Sequence, residues 1–69
     1  MPKIIVPPNT GPVRVAVGLG GKFTVWNGKQ GQHEFFVACR DRKAAVKLAA
    51  EINARRKEGT IEVEFEASK

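Results

Sequence analysis

DRKAAVKLAAEINARRKEG, residues 41–59, is the stretch on which the fold class turns. Ala45, Leu48, Ala49 and Ile52 fall at i, i+3, i+4 and i+7, so they line one stripe of an α-helix. Asp41 has the side chain of a good N-cap, able to accept from an unpaired amide of the first turn. Gly59 suits the left-handed residue that follows a helix, and Arg55, Arg56 and Lys57 complement the negative end of its dipole. Glu51 precedes Arg55 by four, a favourable pair on a helix surface. The spacing therefore predicts one amphipathic helix over about 41–58. Its five alanines allow it to lie close to a partner surface.

The flanking sequence supplies that surface as strands. After the helix, Ile61, Val63 and Phe65 alternate with Glu62, Glu64 and Glu66, an amphipathic strand. Before it, residues 33–39 are rich in β-formers and apolar on both faces, as a central strand would be. Lys22 to Trp26 alternates as well, with Phe23 and Val25 on one face and Lys22, Thr24 and Trp26 on the other. Between these two runs Asn27-Gly28 marks a hairpin, with polar residues through Gln32 and Gly31 able to sit at a bulge in a wider loop. Val13, Val15, Val17 and Leu19 make one apolar face of an earlier strand, closed by a turn at Gly18-Leu19-Gly20-Gly21. Lys3 to Val6 reads as a short extra strand, held to a sheet edge by Pro7-Pro8. The expected architecture is a single small α+β domain over residues 1–69. An antiparallel sheet in the order β-β-β-α-β packs on one amphipathic helix, with the extra strand at the start.

Sixty-nine residues bury only about 60% of the surface of the unfolded chain, so the core is thin. No apolar run reaches the ~18–20 residues of a membrane span, and Met1-Pro2-Lys3 lacks a signal-peptide h-region, so no secretory leader is expected. One cysteine cannot form an internal disulfide, so the expectation is a cytoplasmic chain without membrane contact.

Chemistry at the side chains points away from catalysis. His33 is the only histidine and Cys39 the only cysteine, and on one strand they would stand about 20 Å apart, beyond hydrogen-bond reach. One His and one Cys do not make a zinc site within one chain. Gly18-Leu19-Gly20-Gly21 is not a dinucleotide fingerprint, because the third glycine would fall at Phe23. Glu62, Glu64 and Glu66 read as the solvated face of a strand, where charge also blunts an exposed edge. The expectation is a non-enzymatic binding protein with no cofactor and no metal.

Charge suggests the kind of partner. Residues 1–57 hold eleven bases and three acids, net +8, whereas residues 58–69 hold one base and four acids, net −3. A basic body with an acidic end can attract a polyanion on one surface and repel it on another. The basic candidates lie on the sheet face away from the helix, Arg14, Lys22, Thr24 and Trp26, followed by Lys29-Gln30 in the hairpin loop. A second basic surface is the exposed helix side, Arg42, Lys43 and Lys47. A strand ribbon fits the major groove, where such side chains reach phosphates and base edges. Each group also has a bland reading: packing for Trp26, helix capping for Arg55 to Lys57, and an ordinary hairpin tip for Lys29.

Gly21-Lys22-Phe23 opening a strand, a polar hairpin, a Phe-rich strand and Cys39-Arg40-Asp41-Arg42-Lys43-Ala44-Ala45 opening an alanine-rich helix together carry a resemblance. Over about residues 13–54 the chain resembles the three-stranded-sheet-plus-helix domain of plant ethylene-response transcription factors. It is similar also to the arm-type DNA-binding domain of phage and transposon integrases. The resemblance implies a sheet lying in the major groove of duplex DNA, with contacts from Arg14, Lys22, Thr24, Trp26 and Lys29. The rival expectation is a protein-binding adaptor or inhibitor of phage or plasmid type, pairing with a protein partner or with itself through an exposed strand edge.

Overall fold

The computed structural model describes residues 2–68 and is an α+β domain of five strands and one helix. β1 spans Lys3–Val6, β2 Arg14–Val17, β3 Phe23–Trp26, β4 Phe36–Cys39, α1 Arg42–Arg55 and β5 Ile61–Glu64. All pairings are antiparallel, and the strands form two sheets, β1-β5 and β2-β3-β4. The expected fold class holds, but the acidic strand does not simply extend the three-stranded sheet. β5 pairs with β1, Val63 opposite Ile4 and Ile61 opposite Val6.

The chain then changes partner. The amide of Phe65 still donates to the carbonyl of Pro2, whereas the Arg40 amide donates to Glu66 at 2.8 Å and the Ser68 amide to Ala38 at 3.1 Å. Ala67 bridges Cys39 between those two bonds. One continuous segment thus belongs to β1 in its first half and to β4 in its second, joining the two sheets.

α1 begins where its cap dictates, the Asp41 carboxylate accepting from the Ala44 amide at 2.8 Å. It ends in a 3-10 turn over Arg56–Glu58, and Gly59 takes the left-handed φ of 93°. The regular helix is thus shorter at its C-terminus than the expected 41–58. Ala45, Leu48, Ala49 and Ile52 are all buried, joined by Ala44. They meet Val25, Val37 and Cys39 from one sheet and Val6, Ile61 and Val63 from the other in a single apolar core.

Two strands are shorter than their sequence patterns. Leu19 leaves the expected run Val13 to Leu19 for a 3-10 turn over Leu19–Gly21. The strand expected over residues 33–39 starts only at Phe36, because Asn27 diverts the chain before it. The Asn27 side chain donates to the carbonyls of Thr10 and His33 and accepts from the amides of Lys29 and Phe35, which fills its hydrogen-bonding capacity. Those bonds replace ladder bonds and hold residues 28–34 as a wide loop. Within it His33 adopts φ 67°, a left-handed conformation uncommon outside glycine. Asn53 does similar service from the helix. Its amide both accepts from and donates to the backbone of Val13, each at 2.9 Å, standing in for a neighbouring strand ahead of β2.

Candidate nucleic-acid interface

The three-stranded sheet packs one face on α1, and among the described residues no helix or strand packs on the other. Val25 faces the helix and is fully buried, so by strict alternation Thr24 and Trp26 face outward. The register places Arg14 opposite Trp26 and Trp26 opposite Phe36, a row of three side chains across β2, β3 and β4. The next row is Ala16, Thr24 and Ala38. One step beyond β3, Lys22 continues the same face, about 13 Å along the strand from Trp26.

The outer row is held together by specific contacts. The Arg14 guanidinium lies over the Trp26 ring, 5.3 Å from its centroid, a cation–π geometry. The indole N–H of Trp26 donates to the carbonyl of Lys29 at 3.3 Å, and the Lys29 ammonium lies 3.4 Å from the Asn9 carbonyl. Asn9 and His33, 2.7 Å apart at their side-chain nitrogens, tie the N-terminal turn to the same loop. Arg14, Trp26 and Lys29 therefore gather at one end of the outer face. Lys22 stands exposed at the other end.

Thr24, expected as a flanking contact, is 1% exposed. Its hydroxyl turns back toward the Lys22 carbonyl, and the turn at Gly18 lies so close that a Cβ there would stand 3.1 Å from that hydroxyl. Trp26 is half-buried yet outside the core cluster, on the face away from the helix. Phe36 was not singled out by its sequence: residues 35–37 are all apolar, and only the register shows which of them faces outward. It is 61% exposed, directly across from Trp26. Arg40 was missed as well. It donates to Glu66 at 2.8 Å and lies 3.4 Å from Asp41, so its charge is already matched.

The acids stand elsewhere. Glu62 and Glu64 line clefts beside Lys47, Glu51 and Arg55 of α1, on the helix side of the molecule. Lys3 pairs with Glu62 at 3.6 Å. Of the expected acidic row, Glu66 alone reaches the three-stranded sheet, and there it meets Arg40.

The two nucleophile candidates are far apart in environment. Cys39 is buried, and burial pushes its thiol pKa up, with the charge of Asp41 adding to the effect. A thiol so placed is mostly protonated at neutral pH and is a poor nucleophile. His33 is exposed in the loop rather than on Cys39's strand. Among the described residues no three His, Cys, Asp or Glu side chains converge as a metal site, and no helix is long and apolar enough to cross a membrane. Comparison with protein-family models, with curated proteins and with solved structures gives no match.

Proposed function

We propose that this chain is a non-enzymatic binding protein of the cytoplasm that takes duplex DNA on the outer face of its three-stranded sheet. The observation that carries the reading is the Arg14 guanidinium over Trp26 on that face, with Lys29 exposed in the adjoining loop and Glu62 and Glu64 turned to the helix side. Cations and an aromatic on an open strand ribbon suit phosphates at the rim of a groove and base edges within it. Arg14, Lys22 and Lys29 are the phosphate contacts in this reading and Trp26 the central aromatic. Thr24 supports the sheet beneath them. The resemblance to the ethylene-response and integrase arm domains points to the same face.

Gel retardation of random duplex DNA across a salt series tests this. Three phosphate contacts give a slope of log affinity on log salt of roughly −3, about −0.9 for each contact. Absence of retardation of any duplex at low salt would end the DNA reading.

A second reading is supported by the free edges. β2 is the outermost strand of its sheet and Val17 at its end is exposed, as is Ile5 on β1. Such an edge can pair with a strand of a protein partner or of a second copy. Complexes formed that way persist at high salt, and sizing chromatography in the same buffers separates the two readings.

A further inference from the structure

We propose that Phe36 is the base-reading residue of this face and that thymine is the base it selects, through apolar contact with the C5 methyl group in the major groove. The inference rests on the duplex-DNA reading and adds a sequence preference to it.

Phe36, 61% exposed, stands directly across from the half-buried Trp26, so the two rings form one aromatic patch on the sheet face rather than a lone exposed side chain. Phe36 lies at the end of the row Arg14–Trp26–Phe36, with Ala38 two residues along its own strand leaving low ground beside it. Its neighbourhood favours a polyanion. The Arg14 guanidinium lies over Trp26, Lys29 is exposed in the adjoining loop, and that loop, residues 27–35, carries a single acid, Glu34.

The division of labour within the row follows from what each ring has left to offer. Trp26 has Arg14 over its ring and its N–H donated to the Lys29 backbone carbonyl, so its ring face and its only polar atom are both engaged within the protein. Phe36 has no polar atom and can discriminate only by apolar contact. Among the major-groove edges of the four bases only thymine presents a methyl group.

The test compares alternating dA-dT duplex with alternating dA-dU duplex, which lacks the methyl groups, by anisotropy of labelled DNA. Wild-type protein is expected to bind the thymine duplex more tightly, roughly fourfold for each methyl buried. Phe36→Ala, checked for fold by circular dichroism, is expected to bind both duplexes equally. Equal binding of both by the wild type overturns the proposal, whatever becomes of the variant. So does a thymine preference that survives in Phe36→Ala. A wild-type dimer that Phe36→Ala converts to monomer assigns the ring to a subunit interface and also overturns it. Failure to bind either duplex at low salt is the different result that removes the DNA reading itself.

Discussion

Trp26 stands in three relations at once: under Arg14, bonded to the Lys29 carbonyl, and across from Phe36. None of them involves the core, whose largest fully buried side chains are Leu48, Ile52, Val6 and Val25. Trp26→Ala is accordingly expected to keep the native circular dichroism spectrum while losing duplex binding. A mutant that unfolds before it loses DNA would make Trp26 structural. Arg14→Ala and Lys22→Ala are expected to leave the fold intact and each to lower the salt slope by about one unit. An unchanged slope in both would remove these two side chains from the phosphate contacts.

At the scale of elements, α1 carries the stability. Leu48 is 2% exposed at the centre of the stripe, and Leu48→Ala is expected to cost about 2–5 kcal/mol, read as a loss in denaturant midpoint. In so thin a core that is enough to unfold much of the population at ambient temperature. The N-cap adds a pH dependence. The Ala44 amide, helped by the nearby Arg40 and Lys43, holds the Asp41 carboxyl below the usual aspartate range. A group whose native pKa is depressed contributes fully above its unfolded value of about 3.9, and that contribution fades as pH falls through the lower native value. Thermal melts are expected to show this share of stability unchanged from neutrality to about pH 5 and lost below about pH 4. Asp41→Asn keeps the acceptor oxygen without the titration, so its acid loss should be smaller than the wild type's. An equal loss would place the acid sensitivity elsewhere.

At the scale of the whole molecule, charge is divided between two sides. Glu62 and Glu64 lie beside α1, away from the outer sheet face. At about 0.15 M salt, charges more than ~8 Å from a phosphate are largely screened. Glu62→Gln with Glu64→Gln is therefore expected to leave duplex affinity nearly unchanged in a filter-binding assay. Glu66 shares a cleft beside α1 with Glu64 and is paired with Arg40 at 2.8 Å, so Glu66→Gln is expected to change affinity as little. A large gain from the first pair would bring those carboxylates next to the DNA, and the docking face would have to change.

Sequence by itself determined the helix, because its signals are local: a cap and an amide three residues on, a stripe repeating every turn, a glycine at the end. It determined the alternation of β3 and β5 for the same reason, and hence that Lys22, Thr24 and Trp26 share a face opposite Val25. Tertiary structure alone decided how those pieces meet. The partner of β5 is β1 rather than the three-stranded sheet, the register sets Phe36 across from Trp26, and Thr24, with the turn at Gly18 close against its hydroxyl, keeps almost no surface. Asn27 and Asn53 shape the chain through bonds to residues as distant as 17 and 40 positions along it, and a polar side chain in a loop or on a helix announces no such partner. Local periodicity says which way a side chain points; only the packing of distant segments says what waits there.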